Sequence, residues 1–407
     1  MKLKNIIILT ILATATIFAC DDTVYPDPTK EPVKMAAKNG NERYEMYVAP
    51  DGTIISKGSC YNNESWQWGV FRKFERNGSI TAFDTICDIK EPGFRYANGC
   101  VRFNVVGEML DANLIRDSET YDLLCCAIHK FDSNGKVVES YYEDDVQPEL
   151  VTLLDNGQIV YFTRNIDEET WDQSLVMHTI GSDFSYMMES NFECDVDENF
   201  TGLVSFEDKI VLYNKLNGRY CIARTDGSLV FEDCVDIHLA FIEYIDGYLY
   251  MLSYTEAEEY DESFDYYDDY YIPHQWHITK MDSLGNQIFD KTINTCDLHD
   301  KLTVHGDSLI IIGAEVADYS TLEGYAQIHI LDNNSGNHIE TISVDYDNCT
   351  VSPIYVSPDS KGEYDVYILR LDRFQDAFFD KMVTELNAGD VFVYHTDDLR
   401  KLQVKNN

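Results

Sequence analysis

Turn glycines recur along this chain at a nearly constant interval. Gly78, Gly135, Gly181, Gly227, Gly285 and Gly336 are separated by 57, 46, 46, 58 and 51 residues, and Gly389 follows 53 later in a less regular seventh unit. The clearest copy is Gln275–Thr292, where one alternating run (Trp276, Ile278, Lys280) enters the turn Asp282-Ser283-Leu284-Gly285 and a second (Gln287, Ile288, Phe289) leaves it. Period-two runs joined by a glycine turn read as a β-hairpin. A different hairpin precedes it in each unit, with a turn followed by a strongly apolar run. Asp155-Asn156-Gly157 leads into Ile159–Phe162, Glu207-Asp208 into Ile210–Tyr213, Asp246-Gly247 into Tyr248–Leu252, and Gly306-Asp307 into Leu309–Gly313.

Four short strands per period of about fifty residues is the pattern of a β-propeller blade. The expectation is an all-β chain of about seven four-stranded blades, with two adjacent β-domains as the rival architecture. The last unit departs from the pattern. Leu371, Phe374, Phe378, Met382 and Leu386 fall at near-helical spacing, so a helix or a long decorated turn is expected there.

His129-Lys130-Phe131-Asp132-Ser133-Asn134-Gly135 and Thr279-Lys280-Met281-Asp282-Ser283-Leu284-Gly285 share the pattern Lys-apolar-Asp-Ser-x-Gly. This resembles the repeat unit of β-propeller lipoproteins of some Gram-negative bacteria, from about Glu42 to Tyr394. The resemblance implies a fold and no activity, because propellers carry unrelated functions.

The N-terminus reads as an export signal. Lys2 and Lys4 precede the mostly apolar run Asn5–Ala19, which is too short to span a membrane. The run ends Ile17-Phe18-Ala19-Cys20, which resembles a lipobox, with Phe18 where a small residue is usual. That implies lipidation at Cys20. The alternative is an ordinary signal cut after Ala15. The residues that follow, Asp21 and Asp22, resemble the surface-export signal of some lipoproteins and the inner-membrane retention signal of others. A proline-bearing segment comes next, with Pro26, Pro28 and Pro32. The expected organisation is a signal peptide over 1–19, a lipidated cysteine and flexible tether over 20–42, and a propeller over 43–407. The expected place is the cell envelope, on the outer membrane, facing the surface or the periplasm, with the membrane as a partner through the lipid alone.

Charge narrows the partners. Lysines and arginines number 31 against 72 acids, a net −41. Such a chain repels nucleic acid and anionic lipid. At 44% hydrophobic residues it is no disordered acidic tail.

Two features are candidates for ligand or partner contact. Trp66, Trp68, Trp171 and Trp276 fall nine to twelve residues before their turn glycines, at the start of the third strand of their units. They either stack on sugar rings or fill the gap between neighbouring blades. The second feature is Tyr254–Tyr271, with eight acids, seven aromatics and no base. Its tyrosines, among them Tyr260, Tyr266, Tyr267, Tyr270 and Tyr271, suit a protein contact because they offer area at low entropy cost. Its carboxylates suit Ca²⁺, yet the run lacks the glycine and alternation of a calcium loop. A solvated acidic loop is the plain alternative, and no cofactor is expected.

Other signals are weaker. Asp195-Val196-Asp197-Glu198-Asn199 begins like a calcium loop, but Phe200 stands where glycine is needed. His274 and His277 have ligand spacing, but positions i and i+3 of a strand face opposite sides. No metal site is expected, and no G-x-S-x-G, H-E-x-x-H, P-loop or C-x-x-C motif occurs. Cys221 and Cys234 flank the Asp226-Gly227 turn and are expected nearly opposite one another, depending on register; Cys125 and Cys126 point to opposite faces. Two function classes follow: a lipid-anchored propeller that binds or scaffolds a protein or glycan without catalysis, or a propeller hydrolase acting on polysaccharide.

Overall fold

The apolar runs are strands because they are β-branched and aromatic and are bounded by glycine and aspartate turns. In the computed structural model they assemble into seven four-stranded antiparallel sheets, the blades of a β-propeller. The structure describes residues between 33 and 402. It omits several connections, the longest being 256–274 and 373–389, and describes side chains mostly from residue 102 onward.

β1 (Val33–Met35) opens the chain. Blade 1 is β2 (Glu42–Val48), β3 (Ile54–Asn62), β4 (Ser65–Phe74) and β5 (Ile80–Thr85). Blade 2 is β6 (Phe94–Phe103), β7 (Met109–Asp117), β8 (Leu123–Phe131) and β9 (Val137–Asp144). Blade 3 is β10 (Leu150–Leu153), β11 (Ile159–Ile166), β12 (Gln173–Ile180) and β13 (Tyr186–Asn191). Blade 4 is β14 (Gly202–Phe206), β15 (Lys209–Tyr213), β16 (Arg219–Arg224) and β17 (Leu229–Cys234). Blade 5 is β18 (His238–Ile245), β19 (Tyr248–Thr255), β20 (Gln275–Asp282) and β21 (Gln287–Asn294). Blade 6 is β22 (Asp297–His305), β23 (Ser308–Asp318), β24 (Glu323–Asp332) and β25 (His338–Asp345). Blade 7 is β26 (Cys349–Pro358), β27 (Tyr364–Asp372), β28 (Asp390–Thr396) and, as its outer strand, β1.

The ring is therefore closed by both ends of the chain. Val33 pairs with Val393 and Met35 with Val391, so three residues of the expected tether belong to blade 7. At the other end a 3₁₀ turn, η1 (Leu399–Leu402), follows β28 where other blades have the turn to their outer strand. Leu399 and Leu402 pack with Ile342 and Val344 of blade 6 and Val356 and Val366 of blade 7. Leu371, read as helical from its spacing, lies in β27 and pairs with Thr350. Phe374, Phe378, Met382 and Leu386 lie outside the described residues.

Packing explains why the second strand of each blade is apolar throughout. Its two faces meet two different blades. Ile159 and Tyr161 pack with Leu110, Ala112 and Ile128 of blade 2, whereas Val160 and Phe162 pack with Leu203, Ile210 and Leu212 of blade 4. Leu249 and Met251 face blade 4, and Tyr250 and Leu252 face blade 6. A strand covered on both sides loses its polar alternation. The outer strands are far less covered; β17 is half-buried or exposed along its whole length.

The first strands of neighbouring blades also touch. Thr152 and Ser205 hydroxyls hydrogen-bond at 2.8 Å between blades 3 and 4. The Thr303 hydroxyl donates to the Val356 carbonyl at 2.6 Å between blades 6 and 7.

Candidate functional site

Antiparallel order sorts the connections onto two ends. Turns from first to second and from third to fourth strand lie at one end; the remaining connections lie at the other. The turn end is short and locally determined. Asp246-Gly247 joins Ile245 to its partner Tyr248, both turn residues having positive φ, 50° and 87°. That is the type I′ geometry whose twist matches paired strands. At the third-to-fourth turns, aspartates accept bonds from their own turn. Asp282 Oδ1 accepts from Leu284 N and Asn286 N, both at 2.9 Å. Asp332 Oδ1 accepts from Ser335 N at 2.7 Å, and Asp226 Oδ1 from Ser228 N at 2.9 Å. These bonds hold the three carboxyls below the usual carboxylate range, led by the Asn286, Ser335 and Ser228 side chains respectively. They are turn-forming acids. Gly181, read as the turn glycine of blade 3, does not carry the left-handed conformation there. Phe184 does, at φ 60°, within a turn that joins Ile180 to Tyr186.

The motif lysines of the repeat tie blades together. Lys280 is buried, and its ammonium donates to Asn333 O at 2.9 Å and Asn333 Oδ1 at 3.0 Å in the blade 6 turn. It lies 4.2 Å from the Tyr248 ring centre, a cation–π distance. Tyr250 donates to the same Asn333 Oδ1 at 2.7 Å. Burial lowers the Lys280 pKa. Lys130 pairs with Glu108 at 3.1 Å beside Gly157 of blade 3. The motif thus encodes blade registration.

The opposite end carries the tyrosine-rich stretch. β19 and β20 stay paired up to Thr255 and Gln275, and residues 256–274 lie between them. Tyr260, Tyr266, Tyr267, Tyr270, Tyr271 and His274 lie outside the described residues. The base of the stretch is an aromatic stair: His238 stacks on Tyr254 at 5.3 Å, and Tyr254 meets Trp276 at 5.0 Å. Trp276 is 4% exposed and packs with Phe241, Leu252 and Ile293 of blade 5 and with Leu302 of blade 6. Its place is the blade-to-blade packing. Trp66 and Trp68 lie in β4, paired with Tyr61 and Ser59. Trp171 and Asp195–Asn199 lie outside the described residues, as does Cys20.

His277 approaches Asp290 at 3.9 Å, and among the described residues no group of three or more His, Cys, Asp or Glu could hold a metal. Cys221 and Cys234 are not opposite: Cys221 pairs with Glu232 and Cys234 with Arg219, and no disulfide joins them. The turn between Arg224 and Ser228 sets this register, and the bulge at Ile222/Ala223 shifts it by one residue, short of opposing the two cysteines. Cys125 and Cys126 are free. Burial and the neighbouring Cys125 and Glu143 push Cys126 up to about 12, so it is an inert core thiol.

A polar network not signalled by any sequence motif sits between blades 2 and 3. Tyr161 and Tyr141 both donate to Glu143 Oε2, at 2.5 and 3.1 Å. His178 stacks on Tyr161 at 4.5 Å and bonds the Thr163 hydroxyl through Nε2 at 2.8 Å. Burial, then Glu143, raises both tyrosines; burial lowers His178. No local pattern marks the network because its members come from β9, β11 and β12.

No protein family and no curated protein matches the chain. Among solved structures, the Dos1 propeller matches 90% of this chain and 95% of its own at 9% identity, with a TM-score of 0.51. BamB from Moraxella catarrhalis matches 90% of this chain and 99% of its own at 10% identity, with a TM-score of 0.40. At 9% identity the likeness to the Dos1 propeller establishes the fold alone.

Proposed function

We propose that this chain is a lipid-anchored, extracytoplasmic β-propeller that binds or scaffolds another macromolecule at the cell envelope and carries out no catalysis. The observation that carries this reading is the insertion at 256–274. A turn of about two to five residues would close a hairpin, yet a stretch rich in tyrosine and carboxylate is placed between β19 and β20, on a base ordered by His238, Tyr254 and Trp276. Tyrosines supply contact area and carboxylates supply charge for a protein surface of opposite sign.

Replacing Glu256–Tyr270 with a short Gly-Ser link tests this. The propeller keeps its fold with little change in melting, and the partner cross-linked by the intact protein is lost. Its capture by the intact protein weakens as salt rises. Unchanged capture after the replacement overturns the contact role, and a large loss of stability shows that the tyrosines pack into the core instead.

The anchor is tested separately. Cys20→Ser moves the protein to the aqueous phase of a detergent extraction, and the wild type carries lipid by mass spectrometry. A wild type without lipid refutes the anchor.

A further inference from the structure

Five outer strands have described side chains, and each begins with an exposed large apolar residue. Val138 of β9 is 60% exposed, Tyr186 of β13 49%, Leu229 of β17 41%, Ile288 of β21 47% and Ile339 of β25 52%. Each is the first or second residue of its strand, at the turn end. Single exposed aliphatics are ordinary. Tyr186 and Leu229 pair across their turns with Ile180 and Ala223, whereas Val138, Ile288 and Ile339 stand at the bulge one residue on, so what recurs is an exposed apolar side chain at the start of the outer strand.

Blades 4 and 5 meet closely at this end. A Cβ on Gly285 would lie 2.8 Å from the Phe231 ring, so the blade 5 turn rests on β17. This seats Leu284, 54% exposed, beside the strand that starts at Leu229, and Ile288 follows on β21. β21 is the last strand of its sheet, so one edge of its backbone is unpaired by any strand of the blade. Exposed acids of the same two blades outnumber the exposed bases there: Asp226, Glu232, Asp233 and Asp290 against Arg219 and Arg224.

We propose that the outer rim of blades 4 and 5 docks an extended, basic segment of a partner protein, which adds as a strand to the edge of β21. Strand addition takes its affinity from backbone bonds and its specificity from alternate side chains. On β21, Ile288, Asp290 and Thr292 share one side, so the matching segment alternates an aliphatic residue with lysine or arginine. Charge selects among occupants. A second copy brings another −41, and an anionic lipid surface is repelled in the same way.

The test uses the full chain at about 0.15 M salt, where long-range charge is screened. The probe is a synthetic peptide of alternating valine and lysine, followed by fluorescence anisotropy. The peptide binds, and Leu229→Ser with Ile288→Ser weakens it about tenfold or more, the scale expected for losing buried aliphatic area. Hydrogen exchange of the wild type slows at the β21 amides when the peptide is present, a readout that needs no variant. Binding survives replacement of Glu256–Tyr270, which separates this surface from the proposed loop contact. Equal affinity in the serine variants means attraction by bulk charge and overturns the proposal. So does protection confined to other strands, equal binding of a valine–glutamate peptide, or self-association or vesicle binding that the serine variants abolish.

Discussion

Gly285→Ala is expected to cost about 3 kcal/mol of folding stability, against about 1 kcal/mol for Gly247→Ala. Both glycines have φ +87°, so both substitutions force an L residue into the left-handed region. They differ in what the new methyl meets. At Gly247 nothing lies within 4 Å, whereas at Gly285 the Phe231 ring of blade 4 lies 2.8 Å away. The excess at Gly285 is therefore the overpacking of one blade on the next. Urea denaturation of the two variants measures the difference. In a Phe231→Ala background the Gly285→Ala cost drops to the Gly247 level, as a double-mutant cycle reports for residues in contact. A cost that stays the same without the ring refutes the blade-contact origin. Gly336 repeats the arrangement one blade on, where an added Cβ would lie 2.6 Å from Phe289.

Acidification is expected to remove about 3 kcal/mol of stability through His329 alone. This imidazole is 2% exposed, Nδ1 bonds the Thr341 hydroxyl at 3.0 Å, and Nε2 is buried without a hydrogen-bond partner. Burial, with a smaller contribution from nearby His338, lowers its pKa from 6.5 to about 4. Between these values the unfolded chain takes up a proton that the folded chain does not. Stability is thus full above pH 6.5 and falls as pH drops toward about 4. Carboxylates titrate nearby, so the informative quantity is the difference between wild type and His329→Leu across that window. The variant is less stable at neutral pH but loses less on acidification. Parallel curves refute the assignment.

The repeat was legible because each blade brings its own turns, and turn chemistry is local. Gly227, Gly285 and Gly336 all take positive φ at the expected turns. Blade 3 was misread by three residues because Phe184 supplies the left-handed position, a role for which its side chain gives no hint. Cys221 and Cys234 misled because the turn between Arg224 and Ser228 sets a register in which they are offset by two residues even after the bulge at Ile222/Ala223. Trp276 had two readings, and only the position of blade 6 decides between an open rim and a packed interior.

What the sequence determined by itself is the four-stranded repeat of about fifty residues, though not β1 or the end of β27, because period-two runs and glycine turns are properties of a few adjacent residues. It also fixed the net charge of −41, from which the expectation that nucleic acid is repelled follows, since charge is a sum over the chain. Tertiary structure decided everything that depends on which blade faces which. Lys280 is only one member of an alternating run until Asn333 of blade 6 is placed over it. Tyr161 and Glu143 lie on different blades, as do Gly285 and Phe231. Three residues near the N-terminus complete the last blade, because a ring closes only when its two ends meet. Closure joins residues that are distant in sequence, and no local pattern carries that information.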